Sequence, residues 1–474
     1  MMGKTPAPTS NLLYARLRCL LDALEIGLVE RRQAVRLSLL AALAGEHTLL
    51  IGPPGTAKSE LARRLHFAFR DAKYFERLLT RFSVPEELFG PLSIQALEQD
   101  RYERHTAGFL PEASIAFIDE VFKANSAILN ALLTLLNERE FDNGAGRQRC
   151  PLISAIGATN EVPEDEVAEA FFDRFLLRLP IRPVSAEGFG RLLGADRERA
   201  WRAPSVEFTL DGADLAALGE AAARVSLSSE VTTVLAELRQ HLAAEEVYVS
   251  DRRWVKVAWL MSVAAVVEGR STVCLWDLFV LPWCTAPDAV RQAAVRDWLC
   301  SRLGVQEAFA PPRLTRVVEA FEAQWEAERN ANDLDYDESG RLRFSAGDLA
   351  GEVGDAKGGS QALRITHTRR RHYGAVHIRA RTRQIDALLG RIDSYATELA
   401  DQRESLAHYR ANSLWLDDDL AARVDTNLSA TADAVRALRE RVVATRAGFE
   451  SLPRLTQDTG EAPPPVQHDL LAVE

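Results

Sequence analysis

Residues 48–59 read Thr48-Leu49-Leu50-Ile51-Gly52-Pro53-Pro54-Gly55-Thr56-Ala57-Lys58-Ser59, and this stretch decides the fold. A short apolar strand runs into a glycine–proline turn, and a helix starts at Lys58 and reaches about Phe69. Strand, glycine-bearing loop and helix in that order are what a phosphate-binding loop requires. Gly52 and Gly55 let the backbone curl so that its N–H groups face a phosphate, with Pro53, Pro54 and Thr56 completing the turn. The helix start adds the positive end of its dipole. Lys58 would reach the β- and γ-phosphates of a nucleotide, and Ser59 would hold Mg²⁺. The usual pattern has Gly where this chain has Ala57. Alanine adds one methyl and allows right-handed helical dihedrals, so binding is expected to survive. The plain alternative is a proline turn before an ordinary helix.

Working outward, Phe117-Ile118-Asp119-Glu120 is an apolar run that ends in two acids. Asp119 would join the Mg²⁺ shell, and Glu120 would orient and polarise the attacking water. A third apolar run, 152–156, continues to Gly157 and Asn160. The Asn160 amide could bond the γ-phosphate or the water, although a lone Asn is as readily a turn residue. In Phe171-Phe172-Asp173-Arg174-Phe175, Arg174 could point into a neighbouring subunit's γ-phosphate, an effect worth about 10³ or more in rate. Arg178 is the second candidate, and a surface salt bridge is the plain alternative. In Ser250-Asp251-Arg252-Arg253, Ser250 or Asp251 caps a helix. An arginine in its first turn could fold over the nucleotide, with Arg252 favoured over Arg253. Two solvated arginines are the plain alternative.

The 474 residues are 47% hydrophobic, enough for roughly two to four domains. Fifty-seven basic against 68 acidic residues leave a net charge of −11, which disfavours sequence-independent nucleic-acid binding. Cys19, Cys150, Cys274, Cys284 and Cys300 contain no CxxC pair and read as reduced, apolar thiols. No signal peptide and no membrane helix is expected, and the expected compartment is the cytoplasm.

Residues 1–10 read as a loose tail, followed by helices near 12–24 and 31–43. Apolar strands alternating with helices imply a parallel sheet covered on both faces. Residues 187–308 are almost entirely helical in pattern. A helix near 313–329 follows, then a polar linker or insertion at 330–361, and strand-like pieces at 363–368 and 375–380. Residues 384–452 read as two long helices in an antiparallel hairpin, broken at Asn412-Ser413, with a disordered tail from Pro453. Arg364, Arg369, Arg370, Arg371, Arg379, Arg381 and Arg383, with His367, His372 and His377, form a basic island. It reads as a solvated face opposite the acidic 333–338 stretch. The sharper alternative is a dock for an acidic partner, an anionic membrane surface or nucleic acid.

In this order, GPPGTAKS, FIDEVFKANSAILNALLTLLNERE, GATNE, FFDRF and SDRRW resemble the MoxR family of AAA+ ATPases, in particular its RavA-like branch. The resemblance implies ATP and Mg²⁺ as ligands. It makes Lys58 and Ser59 Walker A, Asp119 and Glu120 Walker B, Asn160 sensor 1, Arg174 the arginine finger and Arg252 sensor 2. Leu28 and Val29, after Gly27, resemble the segment that packs on adenine. Residues 81–110 resemble a helix-2 insertion, and 141–151 a hairpin before sensor 1; such elements face a ring pore.

The implied fold class is α/β: an AAA+ P-loop core with a parallel sheet at 11–183, an α-helical lid at 184–310, and a projecting C-terminal antiparallel helical hairpin at 311–452. A short insertion at 330–383 interrupts the last part, and 1–10 and 453–474 are the expected flexible ends. Implied partners are further copies of the chain in a hexameric ring, a von Willebrand factor A domain protein and a protein client. The expected function is ATP-driven remodelling of that client. The alternative is a nucleotide-switched scaffold with slow turnover and ATP-gated assembly.

Overall fold

The computed structural model describes residues 8–144, 146–160, 166–194, 201–334, 368–455 and 462–468. The chain divides into two compact units, 1–303 with 406–424, and 304–405 with 425–474. The turn of the C-terminal hairpin therefore belongs to the first unit, where the sequence suggested one separate domain beginning at 311.

The first unit is built on five parallel strands: β1 (His47–Ile51), β2 (Tyr74–Leu78), β3 (Ile115–Asp119), β4 (Ser154–Thr159) and β5 (Phe175–Pro180). Their order across the sheet is β2-β3-β4-β1-β5. β3 and β4 are buried along almost their whole length, as strands covered on both faces must be. The helix Arg32–Leu43, buried continuously from Ala34 to Leu43, packs on β1, β4 and β5. β2 and β5 are strands that the sequence pattern did not reveal. The first helix is Pro8–Glu25, so residues 8–10 are helical where a loose tail was expected, with proline at a helix start where its missing N–H costs nothing.

Five helices of the lid are Gly212–Ala222, Ser229–Ala244, Asp251–Val267, Leu281–Thr285 and Ala289–Arg302. Asp251–Val267 is tied to the core by Lys256 Nζ on Glu46 Oε2 at 2.6 Å and by Trp259 Nε1 donating to the Ala44 carbonyl at 3.0 Å. The long helices are Ala375–Asn412 and Asp418–Glu450. Residues 375–380, expected as strand, are the first turns of the former, because Ile378, Ile385, Leu388 and Ile392 are buried at helical spacing.

The hairpin turn is held by buried charge. Arg270 spans Asp277 at 2.5 and 2.6 Å, and the Tyr409 hydroxyl donates to the same carboxylate at 2.9 Å. Leu414 N–H donates to Glu268 at 2.9 Å, and Arg36 and Gln33 donate to the carbonyls of Leu414 and Trp415 at 3.0 and 3.1 Å. The turn thus grips lid residues and core residues together.

In the second unit, Pro311–Asn330 meets both arms of the hairpin through Glu328 on Arg381 and Glu322 on Arg441, and Asn332–Leu334 pairs antiparallel with Thr368–Arg370. Part of the basic island is internal glue here. Arg381 Nε and His377 Nε2 lie 2.9 and 2.8 Å from the two carboxylate oxygens of buried Glu328. Arg364 and His367 lie outside the described residues. Residues 462–468, expected to be disordered, pack on this unit: Val466 is buried and Arg381 donates to the Pro464 carbonyl at 2.7 Å. Cys150, Cys284 and Cys300 are buried free thiols, and burial pushes Cys284 up to about 12. No helix among the described residues is long and apolar enough to cross a membrane.

His47, at the start of β1, is fully enclosed. Ala155 N–H donates to its Nδ1 at 3.0 Å, and Arg139 lies 2.9 Å from Nε2. Burial first, and the Arg139 charge second, hold His47 well below the ordinary histidine range. A histidine lowered in the folded state contributes stability that is complete above the unfolded pKa, about 6.5, and is lost as pH falls. Urea unfolding below about pH 6.5 should therefore lose about 1.4 kcal/mol per pH unit through this group. His47→Asn should flatten that slope; an unchanged slope in the variant would assign the acid sensitivity elsewhere.

Candidate active site

Register places the chemistry. Ile51 of β1 pairs with Thr159 of β4, and Ile118 of β3 pairs with Gly157 of β4. The loops that follow β1, β3 and β4 therefore leave the sheet at one edge, with Asn160 between the Gly52–Ser59 loop and the Asp119-Glu120 pair. Open parallel sheets bind ligands at such carboxyl ends.

Gly52 approaches β5 so closely that a Cβ there would fall against the Ile181 carbonyl oxygen. Gly55 and Ala57 take positive φ, +76° and +66°. The sequence-based expectation of right-handed dihedrals at Ala57 is thus corrected: the residue before Lys58 is left-handed. That conformation costs an L-residue roughly 1–2 kcal/mol, which accounts for glycine in the usual pattern. The Thr56 hydroxyl donates to the Pro53 carbonyl at 2.8 Å. Arg31, to which sequence reasoning gave no role, is buried and clamps the loop. Its Nε donates to the Thr56 carbonyl at 3.0 Å, and its two terminal nitrogens donate to the Glu30 and Arg182 carbonyls, both at 2.8 Å. The signal for it was its place directly after Gly27-Leu28-Val29-Glu30. Leu28 and Val29, a few residues before Arg31, are half-buried.

Lys58 is buried, and its Nζ donates to the Gly52 carbonyl, to the Pro53 carbonyl at 3.3 Å and to Asn160 Oδ1 at 3.3 Å. Burial lowers its pKa, while Asp119 and Glu120 act in the opposite sense. Asn160 Nδ2 in turn donates to Glu120 Oε1 at 2.8 Å, and Lys123 lies 3.1 Å from Glu120 Oε2. Glu120 is itself left-handed, with φ +51°. Its N–H donates to Asp119 Oδ1 at 3.0 Å, and burial raises the Asp119 pKa against that bond and Lys58. Asp119 ends β3, and half-buried Ser59 lies in the first turn of the helix Lys58–Leu65 that contacts β3; a carboxylate and a hydroxyl oxygen there suit a divalent cation. The donor set is therefore oxygen, and among the described residues no cluster of His, Cys, Asp and Glu offers another metal site.

The candidate arginines gather elsewhere, around Asp173. Arg252 and Arg253 reach its carboxylate at 3.0 and 3.2 Å, Arg178 at 3.7 Å and Arg174 at 3.8 Å. Ser250 is the cap, its hydroxyl accepting from Arg253 N–H at 3.3 Å. Arg253 is buried and committed, donating to the carbonyls of Phe175 at 2.9 Å, Leu176 at 2.6 Å, Asp173 at 3.1 Å and also Cys284. Arg252 is the exposed member of the pair, with 47% of its side chain accessible. Arg178 is buried against the Phe172 ring at 3.9 Å.

Residues 15–220 match the model of the MoxR domain in MoxR-vWA-beta-propeller ternary systems, and residues 230–299 match that of an AAA lid domain. Two proteins of Methanocaldococcus jannaschii, MJ0079 and MJ0812, are 42% and 41% identical over 53% of this chain, and the match spans 65% and 66% of their lengths. The chain thus spans just under two thirds of those relatives. Protein MoxR of Paracoccus denitrificans is 27% identical over 36% of this chain and 52% of its own.

The strain at Ala57 is directly testable. Ala57→Gly should raise the stability of the protein by about 1 kcal/mol, read as a higher unfolding midpoint, because the left-handed penalty exceeds the added chain entropy. A lowered midpoint would contradict the left-handed assignment. With the P-loop, the carboxylate pair and Asn160 on one edge of a parallel sheet, followed by a helical lid, and with both family models matched in order, the chain belongs to the MoxR family of AAA+ ATPases.

Proposed function

We propose that the chain hydrolyses ATP at sites shared between the subunits of a hexameric ring, and that it uses the cycle to remodel a protein client. The observation that carries this reading is the line of contacts from Lys58 through Asn160 to Glu120. Lys58, released from the loop carbonyls, is placed to meet the β- and γ-phosphates. The Asn160 amide holds one oxygen of Glu120, which fixes the carboxylate that would polarise the attacking water. Mg²⁺ held by Ser59 and Asp119 would neutralise charge on the phosphates. Leu28 and Val29 supply an apolar face for adenine. Arg174 completes the neighbour's site, and Arg252 reports on nucleotide from the lid.

The family model that matches is named for systems with a von Willebrand factor A protein and a β-propeller, which supports a von Willebrand factor A partner here. The long hairpin supports the RavA-like arrangement. In the 81–110 segment, Phe82 is 90% and Ile94 75% exposed, which supports client contact through that segment.

ATPase rate per subunit against protein concentration tests the shared site. Glu120→Gln should slow turnover by about 10² or more and Arg174→Ala by about 10³. An equimolar mixture should regain turnover, since Arg174→Ala subunits keep Glu120 and their neighbours keep Arg174. A rate flat with concentration, with Arg174→Ala fully active, would replace the ring with a self-contained switch. A wild-type rate near background beside tight ATP-dependent assembly would favour the scaffold alternative.

A further inference from the structure

One carboxylate, Asp173, serves four guanidinium groups within 4 Å. Two of them, Arg178 and Arg253, are buried, and burial pushes both below the ordinary arginine range, with Arg253 adding to the effect on Arg178. A single negative charge does not neutralise four positive ones. Glu46, which also acts on Arg253, is the other carboxylate that contributes there. Such a cluster is electrostatically over-positive, so any polyanion that draws off one arginine changes the hold on the rest.

The four arginines come from two bodies of the first unit. Arg174 and Arg178 lie at the start of β5 and within it. Arg252 and Arg253 form the first turn of the lid helix Asp251–Val267. Asp173 is therefore the joint between the arginine proposed to face a neighbour and the lid that covers the subunit's own nucleotide. Its carboxylate is 31% exposed, so its partners can exchange without unfolding the core.

We propose that Asp173 is a positioning residue that couples nucleotide in the neighbouring subunit to the lid of its own subunit. The inference rests on the shared-site reading above. When Arg174 turns to a neighbour's γ-phosphate, Asp173 loses one partner and tightens on Arg252 and Arg253, which shifts the lid helix. A neighbour holding ADP lacks that phosphate and leaves the cluster as found here. The two nucleotides thus have different affinities for the two lid positions, as coupling between sites demands.

Release of a fluorescent ADP analogue from the assembled protein tests this, with ATP or ADP as the chase. In wild type, ATP should release the analogue about five-fold faster or more than ADP does. In Asp173→Asn, which keeps shape and loses charge, the two chases should give one rate, while the equilibrium affinity for the analogue stays unchanged. Asp173→Glu should recover part of the difference. If Asp173→Asn does not fold, Arg252→Gln, altered at an exposed side chain, should show the same loss. No difference between chases in wild type, or a difference retained in Asp173→Asn, overturns the coupling. Arg174→Ala separates the two claims. If it loses turnover while Asp173→Asn keeps the chase difference, only the coupling fails. If Arg174→Ala keeps both turnover and the chase difference, the shared site fails with it.

Discussion

The pairing of β4 between β1 and β3 is the constraint on which the rest of the molecule depends. It sets Ile51 beside Thr159 and Gly157 beside Ile118, so three loops with different chemistry leave one edge together. β4 can sit there because it is built of small residues, Ser154-Ala155-Ile156-Gly157-Ala158-Thr159. A Cβ at Gly157 would lie 2.7 Å from the Phe175 ring and 3.0 Å from Leu49, so these buried side chains of β5 and β1 would have to give way. Asn160, directly after β4, is thereby set within reach of both Lys58 and Glu120.

Electrostatics then separates the two clusters. The chain carries a net charge of −11, yet Arg31, Lys58, Arg178 and Arg253 are all buried. Each is held mostly by backbone carbonyls, which accept hydrogen bonds without cancelling charge. The fold thus keeps largely uncancelled positive charge at two separate places, the Gly52–Ser59 loop and the cluster around Asp173. The hairpin turn follows the opposite rule: Glu268 and Asp277 share Arg270 and are closed off by Tyr409. There two buried carboxylates meet one guanidinium, and the Tyr409 hydroxyl and the Leu414 N–H supply the remaining donors.

Much of this was legible in the sequence for physical reasons. β1, β3 and β4 are buried on both faces and therefore read as apolar runs. The loop glycines, the acid pair at the end of β3 and the Ser250 cap obey local rules. β2, Tyr-Phe-Glu-Arg-Leu, escaped because it is an edge strand with exposed charges. β5, Phe-Leu-Leu-Arg-Leu-Pro, escaped because Arg178 interrupts its apolar run and Pro180 ends it. Residues 375–380 alternate in a strand-like way, and only their continuity with the buried stripe from Ile378 onward makes them helical. The handedness of Ala57 and the carbonyls that meet Arg31 are tertiary facts, and no spacing rule encodes them. The choice between Arg252 and Arg253 was equally closed to sequence, since adjacent arginines differ only in what they pack against. The prolines at 463–465 read as solvent-exposed in sequence, whereas Val466 beside them is buried.

The account stands on Asn160 as the link between the residue that holds phosphate and the residue that would activate water. Its most direct test is Asn160→Ala, with ATP affinity and single-turnover hydrolysis measured on the same preparation. The account predicts an affinity close to wild type, because Lys58 and the loop N–H groups remain, and a hydrolysis rate lower by about 10² or more, because Glu120 loses its orienting partner. Hydrolysis at the wild-type rate would contradict it, and would make Asn160 a turn residue at the end of a strand.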